Sequence, residues 1–316
     1  MRCIPLLFFG LLFCCALYGA EPYIGYSDYQ IVTNKRFDAA SYFEKMQQSG
    51  VNLQRIWVLG YSNTAKKELM PFRKEHRKYN LNELDPEYMQ RLRTVMEDAN
   101  RGGQRVMLTF FDRWSMSDPG LFSRTPWYYK NNTDQLLQKP FPAFYNLSDP
   151  KLVAVQKNLV QEIVKATAEY HPIYEIMNEA RWPDCRMLTE FHDRVAKWIL
   201  ESDPDATIAV NILGACTVAY KKDWVSLISV HAADWLKDGI CQTIEQHRSL
   251  GKPVLIDTDG AFKTRVDNVL VRKWLQETLS CGGWFNHKDD IYHLDTEALS
   301  AFREERQLLL DKTKKQ

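Results

Sequence analysis

A single (β/α)8 TIM barrel, an α/β fold with one closed parallel sheet, is the fold class that this sequence predicts. Short apolar runs of β type alternate with longer segments of helical periodicity along the chain after residue 20. Strict alternation of this kind indicates a parallel sheet with helical crossovers. Eight such runs indicate that the sheet closes, and a barrel of about 250 residues plus loops accounts for all 316 residues.

Turn residues separate the predicted elements. Gly50 and the pair Gly102-Gly103 end two helical segments, and Pro172 breaks a third before a strand. The predicted strands cover residues 23–26, 51–58, 105–111, 174–179, 207–213, 225–231, 252–258 and 283–286. The predicted helices cover residues 37–46, 87–100, 151–170, 187–201, 266–279 and 296–310, with a further helix opened by Cys241. No linker divides them, so we expect one domain over residues 21–316.

The first 20 residues are typical of a secretion signal peptide. Arg2 precedes an apolar run over residues 4–17, and Gly19 and Ala20 are small residues at its exit. We therefore expect export to the periplasm or the extracellular space. A lipoprotein anchor on Cys14 or Cys15 is the alternative, although the residue before Cys14 fits that processing signal poorly.

Composition narrows the function classes. The formal net charge is +1, so no basic field indicates nucleic acid as a partner. No phosphate-binding glycine loop, dinucleotide fingerprint or cluster of metal ligands is present, so we expect no cofactor and no metal. The chain is rich in aromatic residues, with nine Trp. Aromatic rings in loops suit stacking on sugars as well as packing in a core.

The cysteines outside the signal segment are few. Cys185 and Cys216 follow consecutive predicted strands on one rim, so they could form a disulfide in an oxidising compartment. Cys241 should open one helix and Cys281 close the next. Parallel helices would hold those two ends far apart, so we do not expect that pair. Four buried free thiols are the alternative.

The run over residues 174–179 ends in the pair Asn178-Glu179, and a polar loop follows. A carboxylate at the tip of a buried strand is costly to place unless it has a task or a partner. Arg55 is also unusual, because it lies inside the apolar run of the second strand. The alternative for Arg55 is an outward-facing side chain that pairs with a helix carboxylate.

Residues 174–179 resemble the acid/base strand of the large retaining glycoside hydrolase superfamily built on (β/α)8 barrels, in which Asn-Glu closes the fourth strand. Residues 50–57 are similar to its second strand, in which an Arg steadies the nucleophile carboxylate. The resemblance implies that Glu179 is the general acid and then the general base. It also implies that Arg55 and Asn178 line the substrate site, and that the substrate is an oligo- or polysaccharide.

The seventh strand departs from that resemblance. It has the expected Lys-Pro start and apolar run, but Thr258 stands where the superfamily has its nucleophile Glu, two residues before Gly260. Asp257 and Asp259 flank it on one face of the strand, because side chains alternate along a strand. Either is a candidate nucleophile, with Asp259 slightly favoured because Gly260 frees its backbone. Asp is shorter than Glu, so the retaining mechanism itself is left open.

Four further residues are candidates for substrate binding. The superfamily often shows His-x-Tyr after the sixth strand, and His231 matches it while Ala233 does not. Trp284 on the eighth strand is the candidate for the aromatic floor of the sugar site. Trp114 and Trp127 lie in the long loop after the third strand, where flat rings could hold sugars. Each of these residues could instead be part of the core.

The function predicted from the sequence is a secreted glycoside hydrolase that cleaves O-glycosidic bonds of a plant, algal or microbial glycan. Glu179 would act as acid and base, with Asp257 or Asp259 as nucleophile. A barrel that binds carbohydrate but has lost hydrolysis is the alternative, and the Thr258 substitution favours it. Another chemistry on the same fold has no positive support in the sequence.

Overall fold

The computed structural model confirms the predicted barrel: eight parallel strands close into one sheet and lie side by side in chain order, with a separate two-stranded hairpin inserted in the chain between the second and the third of them. The structure describes residues 21–59, 69–139, 143–181, 184–214, 216–231, 239–259, 268–288 and 296–313. The predicted signal segment lies outside these ranges. Within them, no helix is both long enough and apolar enough to cross a bilayer.

The barrel strands fall close to the predicted runs. They are β1 (Ile24–Asp28), β2 (Leu53–Trp57), β5 (Arg105–Asp112), β6 (Ile173–Asn178), β7 (Thr207–Asn211), β8 (Leu227–His231), β9 (Val254–Asp259) and β10 (Trp284–Lys288). The antiparallel hairpin of β3 (Phe72–Glu75) and β4 (Lys78–Leu84) was not predicted, because its short, polar strands carry no apolar run.

The main helices are α1 (Ala39–Gln48), α2 (Pro86–Arg101), α5 (Pro150–Thr167), α6 (Cys185–Ser202), α7 (Ile240–Arg248), α8 (Asn268–Ser280) and α9 (Thr296–Thr313). Two short helices, α3 (Arg113–Ser117) and α4 (Pro119–Phe122), follow β5. Asp residues cap the helices that begin after a loop: Asp85 and Asp149 each precede a Pro at the first helical position and accept backbone N–H groups of the first turn. The Asp cap and the Pro that follows it fix the residue at which each of these helices begins.

An apolar layer closes the amino-terminal end of the barrel. Its members are buried side chains from six of the eight barrel strands: Leu53, Met107, Ile173, Ala209, Leu227 and Leu255. Tyr23 and Trp284 pack against this layer from outside, with their ring centroids 4.7 Å apart. The barrel is therefore a filled core at this end, and any site must lie towards the other end.

A polar layer lies directly above the apolar one, with one side chain from each barrel strand. Its members are Ser27, Arg55, Thr109, Glu175, Asn211, Ser229, Asp257 and Asn286, all at most 2% exposed. Hydrogen bonds connect all of them into one network. Because water is excluded, these polar groups depend on one another for hydrogen bonds.

Two disulfides tie segments outside the sheet. Cys185 at the start of α6 is bonded to Cys216 after β7, with the Cα atoms 5.1 Å apart. Cys241 is bonded to Cys281 with the Cα atoms 5.4 Å apart, so the expectation that these two stay far apart is wrong. The first turn of α7 packs against the last turn of α8, where Cys241 also contacts the carbonyl of Glu277. The spacing of residues in the sequence did not reveal that α7 begins beside the end of α8.

Candidate active site

Arg55 lies at the centre of the polar layer and is 1% exposed. Its Nε and Nη2 donate to Glu175 Oε2 at 3.0 and 2.5 Å, and its Nη1 donates to Asp257 Oδ2 at 2.6 Å. Nη2 also donates to Asn178 Oδ1 at 2.8 Å. Burial alone would lower the pKa of Arg55, but the charges of Asp257 and Glu175 raise it above its usual value. Arg55 is therefore an inward-facing cation shared by two carboxylates.

Asp257 is held by donors on both of its oxygens. Asn286 Nδ2 donates to Oδ1 at 2.7 Å, while Oδ2 accepts from Arg55 and lies 3.4 Å from His231 Nδ1. Burial raises the pKa of this carboxyl, but the Arg55 charge and the hydrogen bonds outweigh burial and bring it well below its usual range. Asp257 is thus a buried carboxylate that stays ionised and fixed in orientation.

Glu179 follows β6 in a left-handed backbone conformation, with φ of 49°. A non-glycine residue pays about 1–3 kcal/mol for such a conformation, which persists only where neighbours enforce it. Here the backbone N–H of Glu179 donates to Asn211 Oδ1 at 3.1 Å. The backbone N–H of Ala180 donates to the Asn211 carbonyl at 3.0 Å. These bonds turn the Glu179 carboxyl towards the barrel mouth, where its side chain is 13% exposed.

His231 joins the two candidate catalytic carboxyls. Its Nε2 lies 3.3 Å from Glu179 Oε1 and its Nδ1 lies 3.4 Å from Asp257 Oδ2. One imidazole ring therefore contacts both groups from opposite nitrogens. Arg113 approaches from the other side, with Nη1 3.9 Å from Glu179 Oε2. The structure thus brings Glu179, His231, Asp257 and Arg55 together at one rim, as the strand ends indicated.

Asn178 lies below the mouth of the barrel and hydrogen-bonds to two charged side chains, Arg55 and Asp112. It accepts from Arg55 through Oδ1 and donates from Nδ2 to Asp112 Oδ1 at 2.9 Å. Asp112 also accepts the backbone N–H groups of Trp114 and Ser115, which begin α3. Asn178 therefore connects the Arg55 network to the loop that follows β5.

The seventh barrel strand, β9, contains Thr258 and the two candidate nucleophiles, Asp257 and Asp259. Thr258 turns away from the barrel interior, since its Oγ1 donates to the Asn286 carbonyl and lies 3.0 Å from His287 Nδ1. Asp257 lies on the inner face. Asp259 pairs through its backbone with Lys288, but its side chain lies outside the described part of the chain.

Two of the three candidate tryptophans are not at the site. Trp284 is the first residue of β10, paired with Leu255 of the apolar layer, and it lines a cavity of about 800 Å³ at the opposite end of the barrel. The prediction that it floors the sugar site does not fit this position. Trp127 is 2% exposed among Phe72, Phe111 and Phe144, so its ring faces are covered. Trp114 is half-buried at the rim and stays a candidate.

Sequence reasoning missed several members of the polar layer. Glu175 accepts from Arg55, Asn211 accepts from the backbone of Glu179 and Asn286 donates to Asp257, but these roles were not predicted. The signal was present, because each is a polar residue at an inward position of an otherwise apolar strand. Within the described residues, no group of three His, Cys, Asp or Glu is arranged to hold a metal ion.

Comparison with known families agrees with this geometry. The family described as Cellulase (glycosyl hydrolase family 5) matches residues 21–238. This chain therefore belongs to glycosyl hydrolase family 5 and is a glycosidase. The match ends before β9, so the strand that carries Asp257 and Asp259 is not part of it. No curated protein matches the chain by sequence.

Solved structures show the same barrel at low sequence identity. An endo-1,4-β-D-mannanase from Thermotoga petrophila is 15% identical, with a TM-score of 0.64 over 91% of this chain and 99% of that one. An endo-1,4-β-mannanase from Rhizomucor miehei is 12% identical, with a TM-score of 0.69 over 91% and 95%. An exo-β-1,4-mannosidase from Opitutaceae bacterium strain TAV5 is 14% identical, with a TM-score of 0.63 over 92% and 60%. At such identities the likeness shows the fold.

The charge of Asp257 should stabilise the fold in a pH-dependent way. Its folded pKa is depressed, so its contribution is present above the unfolded value of about 3.9 and is lost as pH falls towards the folded value. We expect Asp257→Asn to lower the free energy of unfolding by on the order of 1–3 kcal/mol at pH 7. Urea unfolding should show this difference shrinking below pH 4. A difference that stays constant down to pH 3 would contradict the depressed pKa.

Proposed function

We propose that this protein is an exported glycosidase that hydrolyses a β-1,4-linked, mannose-containing glycan with retention of configuration. Glu179 is its general acid and base, and Asp257 is its nucleophile. Arg55, Asn286 and His231 position these two groups. Asp259, the alternative nucleophile, lies farther along the same strand face.

The first half of the reaction uses both carboxyls. The Asp257 carboxylate attacks the anomeric carbon while Glu179 protonates the departing glycosidic oxygen. This requires one carboxyl to be ionised and the other to carry a proton. The depressed pKa of Asp257 supports its role as the ionised partner. Glu179 lies at the mouth, where a leaving group can reach it.

The second half returns the enzyme to its starting state. Glu179, now ionised, takes a proton from a water molecule, and that water attacks the anomeric carbon on the face that the leaving group vacated. The bond to Asp257 breaks and the product keeps its configuration. No redox group or metal is required for either step.

The observation that carries this proposal is the His231 bridge. One imidazole contacts Glu179 and Asp257 from its two nitrogens, at 3.3 and 3.4 Å. Two carboxyls that contact the same ring lie at the same mouth of the barrel, where both can face one glycosidic bond. A barrel that only binds carbohydrate has no need for a strained Glu179 backbone or for a buried, oriented Asp257. These features favour the hydrolase over the binding barrel.

The substrate class rests on the structural neighbours. Those named above are an endo-1,4-β-D-mannanase, an endo-1,4-β-mannanase and an exo-β-1,4-mannosidase. Mannan and manno-oligosaccharides are therefore the first substrates to test, within the plant, algal and microbial glycans that the sequence indicated.

The acid role of Glu179 can be tested by Glu179→Gln. We expect turnover of a β-1,4-manno-oligosaccharide to fall by about 100-fold or more, because the poor leaving group needs a proton. An aryl β-mannoside with a good leaving group should lose much less in the first step. Glu201→Gln, an exposed change on α6, is the matched control and should leave both activities unchanged. Equal losses on both substrates would contradict the acid role.

The nucleophile can be identified by chemical rescue. Asp257→Gly should be inactive on the aryl β-mannoside, and added azide should restore turnover with formation of a glycosyl azide of inverted configuration. Asp259→Gly should keep the wild-type product and should not give the azide. Rescue of Asp259→Gly alone would move the nucleophile to Asp259. If wild type hydrolyses no glycoside but binds the oligosaccharide, the binding barrel replaces this proposal.

Export and processing can be tested on the protein secreted by its natural host. The two disulfides support an oxidising compartment. We expect the intact mass to correspond to a chain that begins at or near Glu21, with all four remaining cysteines oxidised. An uncleaved chain in the cytosol would contradict export. A lipid on Cys14 or Cys15 would replace it with the anchored alternative.

A further inference from the structure

Arg55 has two buried carboxylate partners, and only one of them is placed to react. Nε and Nη2 face Glu175, at 3.0 and 2.5 Å from Oε2, and Nη1 faces Asp257 at 2.6 Å. The three side chains are each at most 2% exposed. One buried cation therefore lies between two buried carboxyl groups, which together carry one negative charge more than Arg55 offsets when both are ionised.

Glu175 cannot touch the substrate. It lies in the middle of β6, completely buried, four residues before Glu179. Its Oε2 accepts from Arg55 and also from Thr109 Oγ1 at 2.7 Å. An oxygen that accepts from a guanidinium and a hydroxyl is well suited to the ionised form. Glu175 therefore acts only through Arg55, which makes it a positioning residue.

The charge of this cluster changes during the proposed reaction. When an oxygen of Asp257 bonds to the anomeric carbon, the bond to the leaving group breaks and Asp257 becomes a neutral ester. A buried Arg55 whose counter-ion had disappeared would be strongly destabilised. Glu175 prevents this, because the pair of Arg55 and Glu175 is neutral by itself. Before the reaction, the negative charge of Glu175 destabilises the ionised form of Asp257 and so favours formation of the ester.

We propose, resting on the function proposed above, that Glu175 is the counter-ion of Arg55 while Asp257 is esterified, and that it thereby speeds formation of the glycosyl-enzyme. The coupling between the two carboxyls agrees with this. Burial raises the pKa of Glu175, the charge of Arg55 opposes burial, and the charge of Asp257 adds to the rise. Loss of the Asp257 charge on ester formation removes the last of these effects and so favours the ionised form of Glu175 in the intermediate.

The test separates the two halves of the reaction. 2-Deoxy-2-fluoro-β-mannosyl fluoride should form a slowly hydrolysed ester on Asp257 of the wild-type protein, followed as a mass increase over time. In Glu175→Gln, we expect this labelling to slow by about 10- to 100-fold, the factor that one to two pKa units represent. Hydrolysis of the ester, measured after removal of free reagent, should not slow, because Arg55 without Glu175 favours return of the Asp257 charge.

Glu175→Asp separates charge from shape. It keeps the carboxylate but retracts it by one methylene, so a charge role predicts faster labelling than in Glu175→Gln, which keeps the shape. Circular dichroism at the assay temperature checks that both variants are folded. A merely structural role would slow both half-reactions together and would make Glu175→Asp no better than Glu175→Gln.

The outcomes distinguish the inference from the function on which it rests. If wild type is labelled at Asp257 and Glu175→Gln is labelled at the same rate, the role of Glu175 is overturned and the glycosidase proposal stands. If wild type is neither labelled nor active on any mannoside, while Asp257→Gly behaves identically, both proposals fall together.

Discussion

The buried charge of Arg55 is the constraint on which the rest of this barrel depends. A guanidinium at 1% exposure is tolerable only if nearly all its donors find acceptors, and here Glu175, Asp257 and Asn178 supply them. These acceptors come from β6 and β9, neither of which neighbours β2 in the sheet. Satisfying one side chain therefore fixes how β2, β6 and β9 face one another across the interior.

The polar layer explains why the site lies at one end. The lower layer of the barrel is filled by aliphatic side chains, which need nothing but close packing. The layer above it consists of polar side chains that are linked to one another by hydrogen bonds. Asn286 shows how closely this layer is fitted: a Cβ on Gly25 would lie 2.6 Å from its Oδ1. Only glycine at position 25 leaves room for the amide that orients Asp257.

The barrel and the ends of its strands could be predicted from the sequence. The alternation of strands and helices, and the inward orientation of every second side chain in a strand, are local properties. Asn178, Glu179 and His231 could be predicted because they stand at strand ends, and Arg55 and Asp257 because they are charged residues inside apolar strands. Trp284 could not be placed, because the register of β10 against β9 decides which end of the barrel it reaches. The pairing of Cys241 with Cys281 depends on where α7 begins, which loop conformation decides.

The disulfide between Cys185 and Cys216 has a consequence for assembly of the rim that carries Glu179. It closes a covalent ring that contains α6, β7 and Asn211, the residue whose amide and carbonyl hold the backbone at Glu179 and Ala180. The segments that follow β6 and β7 are thus linked covalently on the rim that carries Glu179. A chain that folds before oxidation lacks this covalent link, so the link between the two segments depends on oxidation of both thiols.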